Sequence, residues 1–314
     1  MKRRAAAKLP PVADGSSLLD YLSSRFNYHS RQEWQKRIAN GELALNNVII
    51  SDPEQILKCG DFLEYKPQDL HEPAVNSNYT IVYEDETLLV IDKPGNLPVH
   101  PAGAYFENTL WALLQKNNGG KVHFVNRLDR ETSGLMIAAK TSDAAGKIAK
   151  TLPDMLKRYY VAVHGNFSGE CTATGFLVKD ERSIIRKKQR FIASGEFDPA
   201  IYSNAVTAET RLSALRGNDR FTLVSAELFT GRMHQIRATL YSMGFPVAGD
   251  KLYGLDEQFY LRLADDTLSA EDRIKLVLSR QALHCAELEF EHPASGKILH
   301  FASELPAEIS ALFA

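Results

Sequence analysis

From Tyr79 to about Leu299 the chain alternates short apolar runs with polar turns. Ile81 and Tyr83, Leu88 to Ile91, and Tyr159 to Val163 read as strands. Helical spacing is confined to short windows, at Thr109–Gln115, where Leu110, Leu113 and Leu114 share a face, and at Ser142–Lys150. That pattern predicts a mixed sheet domain. Nothing approaches the roughly 18 consecutive apolar residues of a membrane span.

At 314 residues the chain is long enough for about two domains. The first is short, over 15–66. Leu18, Leu19 and Leu22 recur at helical spacing. Ser30 stands three residues before Glu33, the spacing of a capping box, and Trp34 and Ile38 continue that second helix to Asn40-Gly41. Leu43 and Leu45, then Val48 and Ile50, flank Asn46-Asn47 as two strands around a tight turn, and a further strand is expected within 56–65. Residues 1–14 read as a flexible leader, 67–78 as a linker, and 79–314 as the large domain. The three cysteines, Cys59, Cys171 and Cys285, form no close pair. With no apolar signal segment after Met1, this predicts a protein of the reducing cytoplasm.

The net charge of −2 excludes a uniformly basic coat but hides local excesses. Over 1–40, eight basic side chains (Lys2, Arg3, Arg4, Lys8, Arg25, Arg31, Lys36, Arg37) face three acidic ones, Asp14, Asp20 and Glu33. A second basic run, 179–190, reads as a mobile loop carrying Lys187 and Lys188. The stretch 256–272 is acidic and reads as a solvated helical excursion. Phosphate contact is expected of the two basic segments.

Common cofactor signatures are missing. There is no Gly-x-Gly-x-x-Gly, no Gly-x4-Gly-Lys-Ser/Thr, no Cys-x-x-Cys and no His-Glu-x-x-His. His284, His292 and His300 recur every eight residues and are expected to be sheet residues, not metal ligands. Two other stretches stand out. In Val125-Asn126-Arg127-Leu128-Asp129-Arg130-Glu131-Thr132-Ser133-Gly134, an apolar strand runs into a polar turn and leaves through a glycine. Asp129 is thereby exposed to a cleft but fixed in direction, with Arg127 and Arg130 available to pair with it or with phosphate. In Thr230-Gly231-Arg232-Met233-His234-Gln235-Ile236-Arg237, a Gly-Arg turn leads into a helix start.

Together with Leu89-Val90-Ile91-Asp92-Lys93-Pro94, Lys157-Arg158-Tyr159, Gly249-Asp250-Lys251-Leu252-Tyr253-Gly254 and Gln281-Ala282-Leu283-His284, these stretches resemble the RluA-type RNA pseudouridine synthases over roughly 79–305. Residues 15–66 resemble the S-four-like RNA-binding domain often fused in front of that catalytic domain. The resemblance implies an α+β fold: a mixed, mainly antiparallel sheet catalytic domain plus a small α/β RNA-binding N-terminal domain. It implies isomerisation of specific uridines in RNA without cofactor or metal. Ribosomal RNA of the large subunit is the expected partner, transfer RNA the nearest alternative, and a non-catalytic RNA-binding or assembly factor the reading from another class. No membrane contact and a monomer are expected.

The family's nucleophile maps onto Asp129, its motif arginine onto Arg237 and its active-site tyrosine onto Tyr159. Ile236 is expected to pack on the base and Arg127 to enter the RNA where the uridine was. Arg130, Lys187 and Lys188 are expected to hold substrate. Asn126 and Thr239 depart from the family, which commonly has His at both positions.

Overall fold

The computed structural model describes residues 5–26, 29–67, 72–118, 121–202 and 204–314. Lys2, Arg3 and Arg4 of the expected leader, and 68–71 of the expected linker, lie outside them. The chain divides into two units, the smaller holding 1–74 and 100–112, the larger 75–99 and 113–314.

The smaller unit has β1 (Ala5–Lys8), α1 (Leu18–Arg25), α2 (Arg31–Ala39), β2 (Leu43–Leu45), β3 (Val48–Ile50) and β4 (Phe62–Tyr65). Its sheet runs β1-β4-β2-β3. Ser17 and Ser30 cap the two helices by accepting from the amides of Asp20 and Glu33. The Glu33 carboxylate bonds Arg37 at 2.9 Å, so its side chain serves an ion pair along the helix. Asn46 and Asn47 take φ of 50° and 69°, the turn that lets β2 and β3 pair without splaying. Trp34, Leu18, Leu22, Ile38 and Leu57 fill the core. The leader expectation fails for 5–14, because β1 pairs with β4 in full register from Ala5↔Tyr65 to Lys8↔Phe62. The expected strand in 56–65 is confined to Phe62–Tyr65, since Gly60 turns the chain at φ 88°. Glu72, placed in the linker by sequence, accepts the amides of Phe106, Glu107 and Asn108 at 2.9, 2.9 and 2.8 Å. That carboxylate ties the 100–112 segment to the smaller unit.

The remaining elements are β5 (Thr80–Glu84), β6 (Leu88–Lys93), α3 (Leu110–Asn118), β7 (His123–Phe124), β8 (Ser133–Ala139), α4 (Ser142–Thr151), β9 (Leu156–His164), β10 (Glu170–Lys179), β11 (Gln189–Ala193), β12 (Val206–Gly217), β13 (Phe221–Leu228), α5 (Gln235–Ser242), α6 (Gln258–Ala264), α7 (Ala270–Leu276), β14 (Leu283–Glu291), β15 (Ile298–Ala302) and α8 (Ala307–Ser310). The larger unit is built on one sheet of order β11-β10-β12-β13-β9-β14-β8-β6-β5, with β15 on β14 and β7 on β8. Its pairs are antiparallel except β14 with β8, so the α+β, mainly antiparallel architecture holds. His284 lies in β14 and His300 in β15, as sheet residues, but His292 falls just past the end of β14 and meets Asp85 at 2.8 Å. Among the described residues no helix is long and apolar enough to cross a membrane.

The parallel contact matters most for the site. It consists of His284↔Ser133 and Cys285↔Gly134, and it sets β8, directly after the Asp129 turn, against β14. Gly134 has φ 109°, and a Cβ there would collide with the Cys285 backbone. We expect Gly134→Ala to lower unfolding free energy by about 3 kcal/mol, from overpacking plus an unfavourable backbone angle. Urea denaturation checks this, and a loss below about 1 kcal/mol would show that the strand junction is not so constrained.

Candidate active site

Asp129 sits in the turn between β7 and β8, where Thr132 N–H closes on the Asp129 carbonyl at 3.1 Å. The turn is held from several sides. Lys93, wholly buried, donates its ammonium to the carbonyls of Pro94, Leu97 and Arg130 at 2.8, 3.0 and 3.2 Å. Burial brings the Lys93 amine down to about 7. Glu131 accepts Lys251 at 2.9 Å and the Gln281 amide at 3.2 Å. The Gln281 side chain donates to Thr132 Oγ1 at 2.6 Å and stands 3.5 Å from Asp129 Oδ2. Asn126 Oδ1 accepts the Ile137 amide at 2.8 Å, so the residue that departs from the family pattern ties the segment before the turn to the later half of β8.

The Asp129 side chain stays 31% exposed, and Oδ2 accepts Arg237 Nη1 at 2.7 Å. Arg237, in the first turn of α5, is almost wholly buried. Its Nε and Nη2 fork onto Asp250 at 2.6 and 2.9 Å. Asp250 is fixed in turn by the amides of Leu252 and Tyr253, both at 2.9 Å. Two planar groups matched in this way leave Arg237 little rotational freedom. Burial works against an ionised Asp129. The Arg237 guanidinium, through its charge and its hydrogen bond, is the main cause that outweighs burial and holds the carboxyl below its ordinary value.

Tyr159 extends from β9 and is 7% exposed. Burial, followed by the adjoining Cys285 and Asp129, pushes its phenol well above the ordinary value, so it stays protonated. Asp129, Tyr159, Arg237, Ile236 and Arg127 all line one cleft of about 650 Å³. Arg127 is exposed there. Lys157 also lines it, with its ammonium tied to the Leu152 and Met155 carbonyls at 2.5 and 3.0 Å.

A family profile described as RNA pseudouridylate synthase matches residues 87–242. The ribosomal large subunit pseudouridine synthase D of Zymomonas mobilis is 30% identical over 93% of this chain and 91% of its own length. That of Pseudomonas aeruginosa is 31% identical over 96% and 92%. The mitochondrial tRNA pseudouridine(32) synthase of Saccharomyces cerevisiae is 34% identical over 76% of this chain, which spans about half (51%) of that longer protein. The solved structure of human RNA pseudouridylate synthase domain containing 4 superposes with a TM-score of 0.54 at 26% identity, over 74% of this chain and 92% of its own. The chain belongs to the RluA-type RNA pseudouridine synthases. Its reaction is therefore the isomerisation of uridine in RNA to pseudouridine.

The synthase does not gather every residue expected at the site. Arg130 is not among the cleft-lining residues, and its Nη2 bonds Glu131 at 3.0 Å. Lys188 is a clear correction: its side chain is 4% exposed and its ammonium bonds Glu257 at 2.9 Å, over the Tyr241 ring. An acidic residue from the supposed solvated stretch thus neutralises a supposed phosphate ligand. The loop carrying it is anchored by buried Ile185 in the core that also holds Tyr253. Lys187 is exposed, 4.3 Å above the Tyr260 ring, and is not among the cleft-lining residues. In the smaller unit, Arg37 is largely covered and bonds both Glu33 and Glu42, which argues against it as a phosphate ligand, while Arg31 bonds Asp20 in an exposed pair.

Conversely, Asp250, Gln281 and His234 were quoted within motifs but not singled out. Nothing in their spacing says that Asp250 meets Arg237 or that Gln281 reaches across to Thr132. We expect Lys188→Ala to destabilise the synthase by about 3 kcal/mol, since it strands Glu257, and to leave the salt dependence of RNA binding unchanged. Unfolding and filter-binding titrations check the two halves. A flattened salt slope with unchanged stability would restore the phosphate role.

Proposed function

We propose that this synthase modifies uridines of large-subunit ribosomal RNA, with Asp129 as the nucleophile. The observation that carries the chemical part is the depressed, half-exposed Asp129 carboxylate facing a cleft while its other side is held by Arg237. An aspartate ionised at neutral pH needs no base to activate it. The bond from uracil N1 to the sugar breaks, the base turns, and a bond from C5 to the sugar forms. C5 gives up its hydrogen as a proton and N1 gains one, so nothing is added overall.

A uridine has to leave its helix to reach the carboxylate, and unstacking costs a few kcal/mol. Arg127, exposed at the cleft and without an ion pair among the described residues, is placed to fill the vacated position. Tyr159 and Ile236 offer an aromatic and an aliphatic face for the flipped base. A protonated Tyr159 supports stacking over proton transfer. The smaller unit, with exposed Lys8, Arg25 and Lys36, is proposed to be the S-four-like module that grips RNA by backbone and shape.

Ribosomal RNA is favoured because relatives named for it align along nine tenths of both chains. The yeast relative named for tRNA supports transfer RNA as the second reading. Sequencing carbodiimide-treated RNA from a strain lacking this gene separates them by showing which molecule loses its modified position. For the chemistry, Asp129→Asn should lower tritium release from 5-tritiated uridine RNA by about 1000-fold or more. Arg237→Lys, which keeps the charge but loses the fork, should lower it about 100-fold. Equal release by Asp129→Asn and the parent would remove Asp129 as the nucleophile.

A further inference from the structure

One cleft residue has no part in the chemistry above. His234 stands immediately before α5 with φ 58° and ψ 18°, left-handed values that side chains with a Cβ seldom adopt. This twist turns the imidazole toward the cleft, where the side chain is 8% exposed. Nδ1 lies 3.0 Å from the Tyr253 hydroxyl. That hydroxyl is buried and already accepts the Gln189 amide at 2.7 Å. Among the described residues, its own hydrogen has one acceptor, His234 Nδ1. The opposite arrangement, Nδ1–H donating to Tyr253, would leave the buried hydroxyl hydrogen without a partner. The ring hydrogen therefore sits on Nε2.

Nε2 is 3.9 Å from Asp129 Oδ1, beyond hydrogen-bond range. Among the described residues the donor is thus unused, and it lies beside the reacting carboxylate. Four charged groups act on the ring. Burial, then Arg237 and Lys187, disfavour its protonation, while Asp129 and Asp250 favour it, and the result is a pKa of about 4. The ring is neutral at working pH.

We propose that His234 is a catalytic residue that donates its Nε2–H, as a neutral imidazole, to a carbonyl oxygen of the target uracil. The proposal rests on Asp129 being the nucleophile. When the N1–sugar bond breaks, the electron pair enters the base and spreads onto its carbonyl oxygens. The hydrogen bond stabilises that charge, and the hydrogen stays on Nε2 throughout. The charge is gone once the electron pair has formed the C5–sugar bond, and the loss of the C5 proton that follows is balanced by the proton gained at N1. A neutral donor suits this place because an imidazolium would pair with Asp129 and blunt the nucleophile.

The test compares His234→Asn with His234→Gln in single-turnover reactions, alongside Asp129→Asn. Asn tolerates left-handed backbone but does not reach the Nε2 position, whereas the Gln amide does. His234→Asn should slow the reaction by about 100-fold with RNA affinity within about twofold, and His234→Gln should recover at least about tenfold of that loss. A His234→Asn rate within about threefold of the parent, or no recovery in His234→Gln, would overturn the proposal. Imidazole nitrogen NMR of the parent enzyme decides independently of any variant. A neutral ring with hydrogen on Nε2 from pH 6 to 8 is expected, and hydrogen on Nδ1, or on both nitrogens, contradicts it. If Asp129→Asn stays active, the underlying reading fails. If Asp129→Asn is inactive while His234→Asn is not, only the role of His234 fails.

Discussion

The site depends on a line of three buried or half-buried charges, Asp129–Arg237–Asp250, with contacts of 2.6 to 2.9 Å. Each charge would be unfavourable alone in this setting. Asp250 is wholly buried, and burial opposes its ionisation; Arg237 and two backbone amides reverse that. The same guanidinium then has one nitrogen left for Asp129. One carboxylate locks the arginine and the other is aimed by it. Because Asp250 uses both its oxygens on the fork, Asp129 is the partner that keeps an oxygen facing the cleft.

The sheet exists, from the site's point of view, to bring this line together. Asp129 precedes β8, Tyr159 extends from the middle of β9, and Arg237 follows β13 at the start of α5. The strand β14 lies between β8 and β9 and delivers Gln281 and Arg280 to the turn from its leading end. Lys93 at the end of β6 ties the other flank. Segments far apart in sequence thus converge on four residues, 129–132. Pre-organisation of this kind places the reacting group before RNA arrives.

Local features were well legible in the sequence. The tight turn at Asn46-Asn47, the Ser30 cap, the short helices and the strand–turn–strand around Asp129 follow from backbone preferences and from the spacing of apolar side chains. The resemblance supplied Asp129, Tyr159, Arg237 and Ile236, which do share one cleft. What failed was charge. Lys188, Arg37 and Arg130 look free in a linear reading, yet each meets a carboxylate: Glu257, 69 residues away, or Glu42 and Glu131 close by. A count of basic side chains does not say which of them are already neutralised. The leader failed for a similar reason, since the alanines of β1 carry no strand signal of their own and take their conformation from β4.

The central claim is that Arg237 keeps Asp129 ionised and aimed. Carbon NMR of carboxyl-labelled aspartate, with Asp129 assigned by substitution, measures this directly. The account predicts that the Asp129 resonance titrates below the ordinary aspartate value, and that Arg237→Met shifts its titration upward. A midpoint above about 5 in the parent enzyme, or one unmoved in Arg237→Met, would contradict it.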